Sequence, residues 1–155
     1  MLIRKDKVNN ELVISIRGDI SEKSEEIFNQ LLDSELEPVI VFELSKVQMI
    51  NSIGVREWIS TTVKLKKRKI KLIYRNCSST IIDSTNMFPD FVDRPGIESF
   101  FIPTVCPECD HKMEELVTPA SVKAAEFKPT KQCPTCNIMA TTAVDLEEYL
   151  NFIFE

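Results

Sequence analysis

VIVFELSKVQMINSIGVREWISTTVKLK, Val39 to Lys66, is the stretch whose reading decides the fold. Val39 to Leu44 is a short apolar run rich in β-branched and aromatic residues, opened by Pro38, and this is the pattern of a central strand. The run stops at Ser45 and Lys46. Turn formers then gather at Asn51-Ser52-Ile53-Gly54, which predicts a polar loop after the strand. Beyond Gly54 the apolar spacing becomes helical. Ile59, Val63 and the aliphatic stem of Lys66 share one face, with Trp58, Thr62 and Leu65 beside it. The junction places Ser52 at or near the first turn of a helix. Free backbone N–H groups and the positive end of the helix dipole favour a negative group there.

Upstream, Leu2 to Lys7 and Glu11 to Arg17 read as two strands. Asn9-Asn10 between them tolerates the positive φ of a tight hairpin turn. Leu12, Ile14 and Ile16 alternate with Val13, Ser15 and Arg17, giving one apolar face. Gly18 is expected to end the second strand. Asp19 or Ser21 can cap the next helix, with Glu22 and Glu25 in its first turn and Ile27, Phe28, Leu31 and Leu32 as its buried stripe.

Downstream, the cationic run KLKKRK, Lys64 to Lys69, reads as positive charge at a helix C-terminus rather than as a nucleic-acid site. Ile70 to Tyr74 is a further strand, Ser78 or Ser79 caps a short helix carrying Ile81 and Ile82, Pro89 to Gly96 is a loop, and Glu98 to Ile102 is another strand. Val144 to Phe154 returns to a helical pattern through Val144, Leu146, Tyr149, Leu150 and Ile153. That face needs a large core, so the helix is expected to pack back on the first domain, making the stretch before it an insertion.

The insertion holds two C-x-x-C pairs, Cys106 with Cys109 and Cys133 with Cys136. Each pair brings two thiolates to one ion from a tight turn, and two pairs supply the four sulfurs of a closed tetrahedral zinc site. Asp110 and Asn137, each next after a pair, suit the positive φ of such a turn. The pattern resembles a zinc ribbon, with Val117, Val122, Ala124 and Phe127 read as a small hairpin. Four sulfurs leave no open position for a water, so the zinc is expected to be structural. His111, the one histidine, is either an alternative ligand or an exposed hairpin residue. Cys77 has no partner at metal spacing and reads as a small packed or partly exposed thiol at a strand end rather than a nucleophile.

The chain has 155 residues, a formal net charge of −5 and a pI near 5.1. An acidic balance argues against broad electrostatic binding to nucleic acid or anionic membrane. No apolar run approaches the ~20 residues of a membrane span, and MLIRKDKVNN lacks the apolar middle of a signal peptide. The expected location is cytoplasmic, where paired cysteines point to metal rather than disulfides. With three glycines and one histidine, no glycine-rich phosphate loop or histidine-based acid/base pair is evident, so no enzyme is expected.

The order of elements, the strand ending Arg17-Gly18-Asp19-Ile20, the strand Val39 to Leu44 and the loop VQMINSIGV, Val47 to Val55, together resemble a STAS domain. This is the family of anti-sigma factor antagonists and of the cytoplasmic domains of sulfate transporters. The resemblance covers residues 1–103 together with the last helix, 144–155, and leaves 104–143 as the zinc-ribbon module. It implies an α/β fold with a mixed sheet and helices largely on one side. In the antagonists the loop typically reads Asp-Ser-Ser-Gly-Leu, and its first serine is phosphorylated by a partner kinase that is also an anti-sigma factor. That serine corresponds to Ser52, in a loop that here reads Asn51-Ser52-Ile53-Gly54-Val55. The resemblance therefore implies a regulatory module that meets a protein partner through Asn51, Ser52, Gly54 and Trp58, with Trp58 as a contact anchor if exposed and a core residue otherwise. A homodimer is compatible with it. The other readings are an accessory subunit of a membrane lipid- or anion-transport assembly, and a zinc-ribbon nucleic-acid binder. Mixed charge between Cys106 and Cys136 disfavours the last of these.

Overall fold

The structure, a computed structural model, describes residues 1–154. Glu155, the last residue of the expected C-terminal helix, lies outside the described residues. Asn9 and Asn10 take positive φ, 50° and 66°, the backbone a two-residue hairpin turn needs. They join β1 (Leu2–Val8) to β2 (Glu11–Ile20) in antiparallel register, Val8 opposite Glu11. Two parallel connections come next. β2 leads through α1 (Glu25–Asp33) to β3 (Val39–Ile50), and β3 leads through α2 (Ser52–Lys67) to β4 (Lys71–Arg75). The result is a mixed sheet in the order β1-β2-β3-β4.

Period-two alternation fills one face of this sheet with Leu12, Ile14 and Ile16 on β2 and Ile40, Phe42 and Leu44 on β3, all buried. α1 and α2 close over that face. Trp58 of α2 lies with its ring centroid 4.9 Å from Phe42, 6.0 Å from Phe28 of α1 and 5.8 Å from Phe91. Its indole N–H donates to the Phe91 carbonyl at 2.7 Å, so burial leaves no polar atom of the ring unpaired. Each such large apolar side chain contributes about 1.5–3 kcal/mol by leaving water. The opposite face carries the mixed row Arg4, Ser15, Glu43 and Arg75.

Two boundaries differ from the sequence expectation. β2 does not end at Gly18, and β3 does not stop at Ser45. Both strands run on as a pair, Gly18 opposite Val47 and Ile20 opposite Ile50, with register shifts between Ser15 and Arg17 and between Gly18 and Ile20. Such irregularities bend and twist a strand without ending it, and Gly18 supplies a φ of 97°. The polar residues that look like a loop in the sequence are thus the far end of a long strand.

α3 (Ser79–Met87) comes after β4, with Ser78 at its N-cap position. Ile97 and Phe100 then bridge in parallel to Tyr74 and Cys77, at the outer side of β4. From there β5 (Phe100–Val105) becomes the centre of a second sheet, in the order β6-β5-β7, with β6 (Lys112–Val117) and β7 (Thr141–Thr142) on either side. The expected hairpin of Val117 to Phe127 is replaced by α4 (Pro119–Ala124), because Thr118 and Ser121 form a capping box with Pro119 at the first helical position. The C-terminal helical pattern is two short helices, α5 (Leu146–Tyr149) and α6 (Asn151–Phe154). They pack against α3, through Asn86, and against β5. Phe152 meets Phe100 edge-on at 5.1 Å, and the Tyr149 hydroxyl donates to the Phe101 carbonyl at 2.5 Å.

Candidate functional site

β3 delivers Asn51 to the start of α2. The N-cap is Asn51 and not Ser52: its backbone is extended, and its Oδ1 accepts from the Gly54 N–H at 2.8 Å. Its backbone N–H donates to the Ile20 carbonyl at 3.2 Å, pinning the helix start to the end of β2. That contact is tight. A Cβ at Gly54 would lie 2.1 Å from the Ile20 carbonyl oxygen and 2.6 Å from its carbon. Only glycine permits this approach, which accounts for the glycine of the loop motif.

Ser52 occupies the first helical position and is exposed. Neither its hydroxyl nor the N–H groups of Ser52 and Ile53 have a protein partner among the described residues. Those two N–H groups are the ordinary orphans of a helix start. Glu22 does stand in the first turn of the helical segment after β2, where Ser21 is the cap, but it has a second role that the sequence did not show: its carboxylate accepts from the Asn51 side-chain amide at 2.8 Å. The hydrogen bond from Asn51 holds the Glu22 carboxyl below its usual range. The carboxylate beside Asn51 therefore comes from Glu22, just past the end of β2.

The exposed Ile53 follows Ser52 in the chain, and the exposed Met87 shares a groove with it. This groove, of about 300 Å³, is floored by Ile50, Val55 and Phe88 and edged by Thr80 and Asp83. Asn51, Ser52 and Gly54 are thus brought together at one edge of the molecule. Trp58 is not: it is fully buried, which makes it a core residue and not the contact anchor that exposure would have allowed. It sits two helical turns in, on the face of α2 that meets the sheet.

The four cysteines converge. The Sγ atoms of Cys106, Cys109, Cys133 and Cys136 all lie within 4.8 Å of one another, and Cys109 and Cys133 approach to 3.5 Å. A tetrahedron of sulfurs around one zinc has edges of roughly 3.8 Å, given Zn–S bonds of about 2.3 Å, so the donor set fits. The two turns share one plan. The Cys106 N–H donates to the His111 carbonyl and the Cys133 N–H to the Ile138 carbonyl, both at 2.9 Å. Asp110 and Asn137 return N–H bonds to the carbonyls of Cys106 and Cys133 with φ of 59° and 55°. His111 contributes its backbone, its side chain is exposed, and it is outside the cluster. The Cys136 N–H, then that of Thr135, hold the Cys133 thiol down to about 6, whereas hydrogen bonding with Cys109 pushes Cys136 up to about 12. Sulfurs so close cannot all carry charge without a cation between them. Cys77 is buried and far from reactive, with burial pushing its thiol well up.

Residues 3–98 match the family model of the STAS domain. The chain belongs to the STAS family. The match ends before β5, so the STAS segment carries the Ser52 edge and the four cysteines lie outside it. Among solved structures, the chain is similar to the anti-sigma factor antagonist SpoIIAA in its unphosphorylated form. Identity is 16%, the match covers 62% of this chain and 85% of that one, and the TM-score is 0.47. Comparison with curated protein sequences gives no significant match. Among the described residues, no helix of this STAS protein is long and apolar enough to cross a membrane.

Proposed function

We propose that this STAS protein is a non-catalytic, cytoplasmic regulatory module that binds a protein partner at the start of α2, in the manner of an anti-sigma factor antagonist, and that phosphorylation of Ser52 switches the binding. One observation carries the reading: Ser52 stands exposed and unbonded at the first position of α2, next to the exposed Ile53 and in one groove with the exposed Met87. A phosphate there adds roughly −1.5 to −2 charges. The free N–H groups of Ser52 and Ile53 can donate to it, while Glu22 and Asp83 nearby sharpen the change in charge that an arriving surface meets. An anti-sigma factor with serine kinase activity fits this role. The proposed layout is a STAS-like domain of residues 1–103 completed by the C-terminal helices, with 104–143 a ribbon that Cys106, Cys109, Cys133 and Cys136 close on a structural zinc ion.

Affinity purification of wild type beside Ser52→Ala and Ser52→Asp tests the switch. The expected result is a protein partner that wild type and the alanine variant retain and the aspartate variant loses. Equal recovery of the same partners by all three would sink it.

A further inference from the structure

A second groove, of about 570 Å³, lies between α3 and α5. Its α3 wall belongs to the STAS segment. Its other wall, Val144 to Tyr149, lies beyond residue 98 and hence outside the family match. Asn86 locks the two walls together: its Nδ2 donates to the Tyr149 carbonyl at 2.9 Å, and its Oδ1 accepts from the Phe152 N–H at 3.0 Å. The groove is therefore held open by bonds within the chain, and little ordering remains to oppose a ligand.

The lining has two characters. Met87, largely exposed, Val144 and Tyr149 give apolar surface, while Asp83, Asp145 and Glu148 give three carboxylates with no lysine or arginine among the lining residues. Asp145 is committed to capping α5 through the Glu148 N–H. Neither Asp83 nor Glu148 makes an ion pair among the described residues. Burial, and then the charge of Glu148, raise the Asp83 carboxyl above its usual range. An incoming cation would relieve the repulsion and complement the charge.

We propose that the groove between α3 and α5 docks a cationic segment of a protein partner, one arginine or lysine shared by Asp83 and Glu148 and flanking apolar side chains laid on Met87 and Val144. The apolar walls select a protein segment over a free metal ion, which would need only the carboxylates. Asp83 and Met87 also edge the groove beside Ser52, so a segment seated here lies next to that serine. The docking itself requires no modification of Ser52, and its failure is separable from that of the switch.

The probe is a fluorescein-labelled synthetic amphipathic peptide with arginines on one helical face and leucines on the other, titrated with the metal-loaded full chain and followed by anisotropy. Asp83→Asn combined with Glu148→Gln is expected to weaken binding about tenfold or more. Glu25→Gln combined with Glu26→Gln removes the same charge from the exposed start of α1 and is expected to leave binding unchanged, as is Ser52→Ala. Methyl NMR of Met87 should shift on titration in wild type and not in the groove variant. The proposal is overturned if the arginine–leucine peptide does not bind. It is equally overturned if both charge-removal variants lose binding alike, or if glutamate–leucine or arginine–serine peptides bind as well.

Discussion

Gly54→Ala is the sharpest test of how α2 is seated, because two physical arguments give it opposite signs. By helix propensity alone, alanine stabilises a helix by up to about 1 kcal/mol over glycine. The structure says otherwise. The new methyl carbon would lie 2.1 Å from the Ile20 carbonyl oxygen, 2.6 Å from its carbon and 3.0 Å from the Ser21 nitrogen. All three are backbone atoms, which cannot swing aside as a flexible side chain would. Comfortable separations are roughly 3.5 Å, so the first turn of α2 must retreat by on the order of 1 Å. That movement strains packing by about 1–3 kcal/mol. It also pulls the Gly54 N–H from Asn51, a cap worth about 1 kcal/mol. After the propensity gain the net loss is about 2 kcal/mol, or a fall in Tm of about 4–8 °C for a chain of this length. Urea unfolding followed by fluorescence of Trp58, the one tryptophan and fully buried, measures it. An alanine variant with an unchanged or higher midpoint would refute the close approach between α2 and β2.

The same geometry sets the outcome at the cap itself. Asn51→Ala removes the cap and is expected to destabilise the chain by about 1 kcal/mol. It also raises the Glu22 carboxyl toward its ordinary range in an NMR titration, since Asn51 is the largest of the contacts that lower it. In wild type the carboxyl is lowered by Asn51, so its contribution is present above the usual carboxylate range and is lost as pH falls through the folded value; the variant should lack that component. For the cysteine cluster, metal analysis of purified wild type is expected to return zinc at one ion per chain. Cys133→Ser, or a strong chelator, should remove it and expose 104–143 to proteolysis, since apparent binding free energies of structural zinc sites are about 10–16 kcal/mol. Metal-free wild type with an unchanged digestion pattern would contradict this.

What the sequence determined by itself was whatever depends on neighbours along the chain. The Asn9-Asn10 turn, the buried stripe of β2 and the central strand at Val39 come from local conformation and from period-two alternation. The paired cysteine turns, with Asp110 and Asn137 at positive φ, come from spacing that lets two sulfurs of one turn face one ion. The family resemblance rests on such local signals and on their order. Tertiary structure decided the rest. The polar residues after Leu44 read as a loop, yet they stay in β3 because β2 continues beside them, and pairing with another strand outweighs local composition. Trp58 points into the core because the sheet lies on that side of α2. Glu22 and Asn51 are 29 residues apart and meet only because β2 and β3 end together. The same closeness forbids a side chain at Gly54. The groove on α3 gains its second wall only when α5 returns to the STAS segment. Local sequence encodes turns, stripes and ligand spacing, whereas the surroundings of Ser52 are made by strand pairing across the chain, which no single stretch contains.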